Sequence, residues 1–287
     1  MRITHLNAGS MCMRGGEWSL GKKKAGTPIG SALVCHCLLI ETNTGLILVD
    51  TGLGLDDVHA ESHRPVRRVV KTLGAVLSEQ ETVIRQIEAM GYERDDVQHI
   101  VLTHLDVDHA GGLPDFPNAK VHVYAGEHAA AVVERRIRER QRYSPTQWAH
   151  GPDWRLYETQ GESWFGFDCV RQLEGLPPDI LLVPLLGHTR GHCAVAVNRG
   201  DRWLLHAGDA YFFHEEMNAQ RPYCPPGLRL FQTFAEVNRG QRLGNQARLR
   251  ALAQEQAGKV EVFCAHDATE WQRMVDAQQI EEARLSA

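Results

Sequence analysis

Apolar residues in this chain occur mostly in short runs bounded by polar or glycine-containing turns, which is the pattern of buried β-strands. Two such runs near the start are joined by the polar turn at 41–45, as in a hairpin. The runs predict strands over 31–40, 46–50, 99–102, 120–124, 180–186, 194–198, 203–207 and 260–264. Strands are therefore expected along most of the chain.

Between these strands the apolar residues change to helical spacing. A capping-box sequence at 78–81 begins the first such segment, and Gly91 ends it. Further helices are predicted at 127–142, at 228–257 as one or two helices, and at 269–284. Strands followed by a helix in each half of the chain indicate two sheets packed face to face, with helices outside.

The stretch at 103–112 places potential metal ligands directly after an apolar strand. Alternate side chains of an extended segment point the same way, so His104, Asp106 and Asp108 can converge. His109 breaks this alternation, and a turn there would carry its imidazole to the far side of Asp108, giving ligands for two metals. The alternative is a polar junction in which Asp108 only caps a helix. The density of histidine and aspartate favours the metal site.

This motif resembles the His-x-His-x-Asp-His signature of the metallo-β-lactamase superfamily, with Asp106 where the second histidine usually stands. Other segments resemble further motifs of that superfamily in the same order: 50–52, 186–192, 205–209 and 263–267. Within the superfamily the chain is most similar to the N-acyl homoserine lactone lactonases. The resemblance implies an α+β fold, the αββα sandwich, as a single domain over residues 1–287.

The resemblance also implies two divalent metal ions. Their ligands would be His104, Asp106 and His188 for the first ion, Asp108, His109 and His266 for the second, and Asp209 as a bridge between both. Asp50 is predicted either to serve turn chemistry or to form a bond that supports the metal loop. His192 is predicted to support neighbouring groups or to pack in the core, and His206 has the same two alternatives.

The aspartate at position 106 changes the expected charge of the site. With a histidine there, two divalent ions, two carboxylates and a bridging hydroxide would leave a net positive charge, which Asp106 removes. The hydroxide would then be a better nucleophile but would form at a higher pH. A carboxylate also moves the metal preference from zinc toward manganese or iron. Zinc remains the first expectation because it is most common in the superfamily.

The resemblance implies a hydrolase of small esters or lactones, such as the quorum-quenching lactonases, that uses a metal-bridging hydroxide. Asp108 would orient the hydroxide or carry its proton. Tyr211 is expected to help hold the substrate carbonyl, although it follows Asp209 more closely than in the family. Three alternatives stay open: a phosphodiester or phosphotriester hydrolase, an iron-dependent redox protein on the same fold, and a binding protein without activity.

The composition of the chain limits the classes of binding partner that are expected. The net charge of −5 and the pI near 6.3 argue against a nucleic-acid or membrane partner and favour a small-molecule substrate. Seven scattered cysteines fit reduced thiols, and Cys35 and Cys37 are interpreted as small apolar strand residues. With neither a signal-peptide pattern nor a spanning segment, a cytoplasmic location is predicted. A homodimer is expected from the lactonase-like relatives.

Three segments have alternative interpretations. The basic residues at 135–142 alternate with glutamates and are predicted to form a solvated helix face rather than a binding patch. The aromatic-rich segment at 143–167 is either the wall of an apolar substrate pocket or a core beneath a long loop. The charged residues at 54–76 are interpreted as a mobile flap.

Overall fold

A computed structural model describes residues 1–12, 33–59, 74–137 and 139–285 of the chain. Its strands, numbered in chain order, are β1 Arg2–Met11, β2 Leu33–Thr42, β3 Gly45–Val49, β4 Ala75–Val76, β5 Val97–Val101, β6 Lys120–Tyr124, β7 Asp153–Tyr157, β8 Ser163–Trp164, β9 Phe167–Asp168, β10 Ile180–Pro184, β11 Cys193–Asn198, β12 Trp203–His206 and β13 Val260–Phe263.

The α-helices are α1 Leu55–Val58, α2 Val83–Ala89, α3 Val107–Ala110, α4 Ala125–His128, α5 Glu139–Arg142, α6 Pro226–Ala235, α7 Arg239–Glu255 and α8 Ala268–Leu285. Short 3-10 turns occupy Glu79–Glu81, Arg94–Asp96, Leu113–Asp115, Pro145–Trp148, Gly208–Ala210 and His214–Met217, and a π-helical turn occupies Ala129–Val133. In the described part of the chain, no helix combines the length and the apolar character needed to cross a membrane.

The strands form two principal sheets. The larger has the order β4-β1-β2-β3-β5-β6-β7, with antiparallel pairs up to β3 and parallel pairs from β3 to β7. The smaller has the order β10-β11-β12-β13, and only β12 and β13 are parallel. A separate two-stranded sheet consists of β8 and β9.

Apolar side chains of the two principal sheets pack against one another. The residues between the sheets include Leu38, Ile40, Ile47, Val101, Ile180, Leu182, Val195 and Phe263. Helix α2 packs on the outer face of the larger sheet, and α7 packs on the outer face of the smaller one. This arrangement is the predicted αββα sandwich, in which the facing sides of the two sheets form an apolar core and helices cover their outer faces. The single-domain assignment stays a prediction.

The first strand was not predicted, because polar residues interrupt its apolar pattern. Those residues are satisfied by partners on the neighbouring strand. His5 Nδ1 lies 2.8 Å from His36 Nε2, and the backbone N–H of Cys35 donates to Asn7 Oδ1 at 3.1 Å. A strand with internal polar pairs can thus be buried on both faces without showing a hydrophobic run.

Two other predictions need adjustment. The helix predicted over 127–142 is interrupted: α4 and the π-helical turn end at Val133, and α5 starts again at Glu139. The prediction of one or two helices over 228–257 is confirmed, with two helices, α6 and α7. Of the flap predicted at 54–76, residues 55–58 form α1, whereas 60–73 lie outside the described residues.

The sheets bring the sequence motifs to one shared edge. Strands β3 and β5 are parallel, so the segments that follow them, with Asp50 and His104, are adjacent. Strands β12 and β13 are also parallel, and they precede Asp209 and His266. The turn between β10 and β11, which contains His188, lies at this edge because β11 begins where β12 ends.

Candidate metal centre

A first group of four side chains converges at this edge: His104, Asp106, His188 and Asp209. Asp106 Oδ2 lies 3.2 Å from Nε2 of both His104 and His188. Asp209 Oδ2 lies 3.1 Å from His188 Nε2 and 3.8 Å from His104 Nε2. One ligand atom from each residue lies within 4.8 Å of the others, so a single cation could contact all four.

A second group shares Asp209 through its other oxygen. Asp209 Oδ1 lies 3.1 Å from His266 Nε2 and 3.2 Å from His109 Nε2. Asp108 stands beside this group, with its Oδ2 3.6 Å from His266 Nε2. The two oxygens of Asp209 therefore face two different histidine pairs, and all seven predicted ligand residues are brought together.

The chemistry of these donors fits divalent metal ions. His104 Nε2 and Asp209 Oδ1 are buried, and beyond their contacts with neighbouring ligand residues they have no further hydrogen-bond partner among the described residues, which is costly unless another group contacts them. Burial lowers the pKa of His104 and so favours the neutral imidazole that binds metals. Burial opposes the ionisation of Asp209, but His266 and His109 outweigh it and lower its pKa well below the usual range.

Asp50 supports the second group from behind. Its Oδ1 accepts the backbone N–H of Thr103 at 2.8 Å, and its Oδ2 accepts the Thr103 hydroxyl at 2.7 Å. The same Oδ2 lies 2.8 Å from His109 Nδ1. Asp50 adopts a φ of 56°, a left-handed conformation that aspartate and asparagine tolerate better than most residues. Of the two roles predicted for Asp50, support of the metal loop is the one its contacts provide.

Two further histidines lie beside the segment that contains Asp209, and their ring nitrogens do not face the ligand atoms. His192 Nδ1 lies 3.0 Å from the Leu185 carbonyl, and His192 Nε2 accepts the backbone N–H of Asp209 at 2.8 Å. His206 Nε2 lies 2.6 Å from the His36 carbonyl. His192 thus has the predicted supporting role, and His206 is fully buried and ties β12 to β2.

Glu127 was not singled out in the sequence, yet it joins two ligand loops. Its Oε1 accepts the backbone N–H of Leu105 and the hydroxyl of Tyr143, each at 2.9 Å. Its Oε2 accepts the hydroxyl of Thr189 at 2.6 Å and the backbone N–H of Gly191 at 3.1 Å. A glutamate within a predicted surface helix carries no sequence signal for this buried role.

Arg142 is the second residue that the sequence did not reveal. Its Nε donates to Asp106 Oδ1 at 2.5 Å, and its Nη2 donates to Asp106 Oδ2. The prediction that the basic stretch forms a solvated helix face is wrong for Arg142, because the helix is interrupted and the last residue of α5 turns toward Asp106. Burial opposes the ionisation of Asp106, but Arg142 outweighs it and the pKa of that carboxyl is well below its usual range.

Cys35 also lies close to the site. Its sulfur forms a potential ligand group with Asp108 and His266. Burial, followed by the negative charge of Asp108, raises the pKa of the Cys35 thiol well above its ordinary value. The sequence interpretation of Cys35 as a small apolar strand residue agrees with its burial but misses this proximity.

Tyr211 does not occupy the position expected of it. Its side chain is fully buried, and its hydroxyl donates to Glu270 at 3.0 Å. Tyr211 is also absent from the described lining of the cleft above the ligands. Its ring lies in the core, and its hydroxyl faces Glu270 of α8 rather than the cleft, so these contacts give no support to the expected role in holding a substrate carbonyl, which stays a prediction.

An open cleft of about 1080 Å³ lies above the ligand groups. Its base includes Asp106, Asp108, His188, Asp209 and His266. Its apolar walls include Met11, Leu33, Phe212, Phe231, Phe234 and Val237. A cavity of this size with polar groups at one end suits a small molecule that has an apolar part.

The aromatic segment at 143–167 is not the wall of this cleft. Trp148, Trp164 and Phe167 are buried in the hydrophobic clusters outside the sheets. Among the described residues, no aromatic side chain of that segment lines the cleft. Of the two interpretations, the core beneath a loop is therefore correct.

The chain matches the family model described as the metallo-beta-lactamase superfamily over residues 30–255. It is 42% identical over 267 residues to a probable metallo-hydrolase of Mycobacterium tuberculosis, which covers 93% of this chain and 80% of that protein. It is 35% identical over 96 residues to an N-acyl homoserine lactonase of Bacillus thuringiensis, but this covers only 33% of the chain and 38% of the relative.

A solved structure gives the same fold. A mutant of AiiA from B. thuringiensis, with N-decanoyl-L-homoserine bound at its active site, aligns with a TM-score of 0.66 and 23% identity over 95% of each chain. At that identity the likeness establishes the fold alone, and the predicted αββα sandwich is confirmed. The family model and the mycobacterial relative establish more than the fold. The chain belongs to the metallo-β-lactamase superfamily and is a metallo-hydrolase.

Proposed function

We propose that this protein hydrolyses small carboxylic esters or lactones, with N-acyl homoserine lactones as the first candidate, at a site for two divalent metal ions. The observation that carries this proposal is the position of Asp209. Its Oδ2 lies 3.1 Å from His188 Nε2, and its Oδ1 lies 3.1 Å from His266 Nε2. A carboxylate that faces two histidine pairs in this way supports a bridge between two ions.

The proposed ligands are those of the two groups: His104, Asp106, His188 and Asp209 for the first ion, and Asp108, His109, Asp209 and His266 for the second. Zinc is the first candidate, and manganese or iron are alternatives because Asp106 adds a hard oxygen donor. Arg142 changes the expected net charge of the site, because its guanidinium adds a positive charge that offsets the negative charge of Asp106. The pH at which the nucleophile forms should therefore be close to that of relatives with a histidine at this position.

Divalent ions bound here would supply an acidified water as nucleophile and would polarise the scissile carbonyl. Asp108 is the residue of this chain that we assign to proton transfer. Its carboxylate is partly exposed, lines the cleft and lies beside His266. In the reaction a water oxygen bonds to the carbonyl carbon and the carbon–oxygen ester bond breaks. Asp108 would take the proton of the water and give it to the leaving oxygen.

The cleft supports the proposed substrate class. Phe231, Phe234 and Val237 form an apolar wall beside the ligand groups, so an acyl chain could lie there while the carbonyl reaches the base. Relatives with the name N-acyl homoserine lactonase act on a molecule with this division into apolar chain and polar ring.

The cytoplasmic location and the homodimer stay predictions.

The test combines metal content with hydrolysis. Plasma mass spectrometry on protein purified without added metal should detect zinc or manganese, and the protein should open a long-chain acyl homoserine lactone faster than a short-chain one. Asp209→Ala should lose metal and reduce kcat/KM by about a thousandfold or more, since it removes ligands from both groups. The matched variant Asp201→Ala changes an exposed aspartate and should leave both measurements unchanged.

Three outcomes would overturn the proposal in different ways. Turnover of a phosphotriester without turnover of any lactone or ester would assign the same site to phosphate chemistry. Bound iron with dioxygen uptake and no hydrolysis would assign it to redox chemistry. Full lactone hydrolysis by Asp209→Ala would exclude the bridging role that carries the proposal.

A further inference from the structure

The guanidinium of Arg142 contacts the same atoms that would hold the first metal ion. Its Nη2 donates to Asp106 Oδ2 and lies 2.5 Å from His188 Nε2. Both atoms belong to the first group, whose ligand atoms lie within 4.8 Å of one another. His104 Nε2, the remaining histidine nitrogen of the group, lies 3.2 Å from Asp106 Oδ2. The guanidinium therefore contacts two of the four residues whose atoms would hold the first metal ion.

Other contacts hold the guanidinium in this position. Its Nε donates to Asp106 Oδ1 at 2.5 Å, and its Nη1 donates to the carbonyl of Ala235 at 2.5 Å and of His188 at 3.2 Å. Only 17% of the side chain is exposed. Because an arginine in a protein stays protonated, this site contains a permanent positive charge that is fixed by the surrounding loops.

Among the described residues, the second group has no such neighbour. Within residues 1–12, 33–59, 74–137 and 139–285, no arginine or lysine forms a hydrogen bond or ion pair with Asp108, His109, Asp209 or His266. The two groups share Asp209, so among the described residues the main electrostatic differences between them are the Arg142 cation beside the first group and the Asp50 carboxylate behind His109 of the second. A divalent ion in the first group would be repelled by Arg142 and would also have to compete for the two shared atoms.

We propose that Arg142 is an internal cation that competes with the first metal ion for Asp106 and His188, so that the second position fills tightly and the first fills weakly. This inference rests on the proposed two-metal site. It predicts that the protein retains one equivalent of metal after dialysis and takes up the other only when free metal is supplied. The activity would then depend on the concentration of free metal.

The experiment is a titration of the apoprotein with Zn²⁺ in competition with a chromophoric chelator. The wild-type chain should bind one equivalent tightly and a second one in a separate, weaker step. Arg142→Gln removes the charge and should tighten the weaker step by about tenfold or more. Arg136→Gln is the matched control, because Arg136 lines the same cleft without bonding to a ligand residue. Circular dichroism checks that each variant is folded.

The wild-type titration tests the inference even if Arg142→Gln does not fold. Two equally tight steps in the wild-type chain would overturn it. A lower zinc affinity of the first position in Arg142→Gln would also overturn it. That result is expected if Arg142 only positions Asp106 for the metal. Lactone hydrolysis in excess Zn²⁺ is measured separately. Unequal binding without hydrolysis would contradict the proposed function alone, and hydrolysis with equal binding would contradict only this inference.

Discussion

The two halves of the candidate site contain similar ligands, but different partners stand behind them. In the second half, His109 Nδ1 lies 2.8 Å from Asp50 Oδ2, and His266 Nδ1 lies 2.7 Å from the carbonyl of Val34. Each ring is therefore held by an acceptor on the nitrogen that faces away from the ligand atoms, which fixes the tautomer suited to metal binding. This half is organised in advance.

The first half is less well supported. His104 Nδ1 lies 3.0 Å from the Thr103 hydroxyl, whereas His188 Nδ1 is buried without a hydrogen-bond partner among the described residues. Arg142 adds a positive charge to this half, and in the part of the chain that the structure describes it pairs with no ligand of the other half. The comparison teaches that equivalent ligand residues do not make equivalent metal positions, because the outer contacts decide orientation and charge.

The largest expected effect comes from removing the support of the second half. Asp50→Asn keeps the size and the left-handed backbone of Asp50 but replaces the acceptor that faces His109 by an amide. The affinity of the tight zinc step should fall about 10- to 100-fold, as is usual when a partner of a ligand histidine is lost. Chelator competition measures this change.

Asp201→Asn, an exposed aspartate changed in the same way, is the control for Asp50→Asn. It should leave both zinc steps unchanged. If Asp50→Asn weakened only the loosely bound equivalent, the tight position would have to be the half that contains Arg142, and the comparison between the halves would be reversed.

A smaller change should make the two halves alike. Asp106→His combined with Arg142→Gln puts a neutral imidazole in place of the carboxylate and its cation, so the repulsion at the first position disappears. The difference in affinity between the two zinc-binding steps should then shrink by about tenfold. Asp106→His alone keeps the cation and should keep the first step weak. Convergence of the steps in this single variant would argue against a role for the charge of Arg142.

The smallest effect on activity is expected outside both halves. Tyr211→Phe removes a buried hydroxyl that donates to Glu270. The free energy of unfolding should fall by about 1–2 kcal/mol, whereas kcat/KM for a lactone should stay within about twofold. Urea denaturation and steady-state kinetics measure the two quantities. A large loss of kcat at unchanged stability would restore Tyr211 to the substrate site.

Much of the site could be predicted because its signals are local. His104 and Asp106 lie on the extended segment before α3 and converge as the alternation predicts, whereas Asp108 lies within α3 and faces the second group. The other ligand residues were found through the resemblance of short motifs to a known family. The sandwich followed from the order of apolar runs and helical spacing, since each such element must bury one face.

Other features depended on contacts between distant segments. Nothing in the sequence near Glu127 or Arg142 shows that a predicted surface helix is interrupted and that both side chains are buried at the site. The surroundings of Tyr211 could not be predicted for a related reason: its distance from Asp209 along the chain does not determine which way the ring turns. The β1 strand was missed because its polar residues find partners only on β2.

The sequence by itself determined the fold class, the superfamily and the residues that converge at the sheet edge, because strand periodicity, ligand spacing and the short motifs that resemble the superfamily are all properties of neighbouring residues. Only the tertiary structure decided which groups stand behind each ligand, where the apolar wall of the cleft lies and that Asp106 is paired with Arg142. These features join residues far apart in the chain, and their energies depend on burial and distance, which the order of residues does not specify.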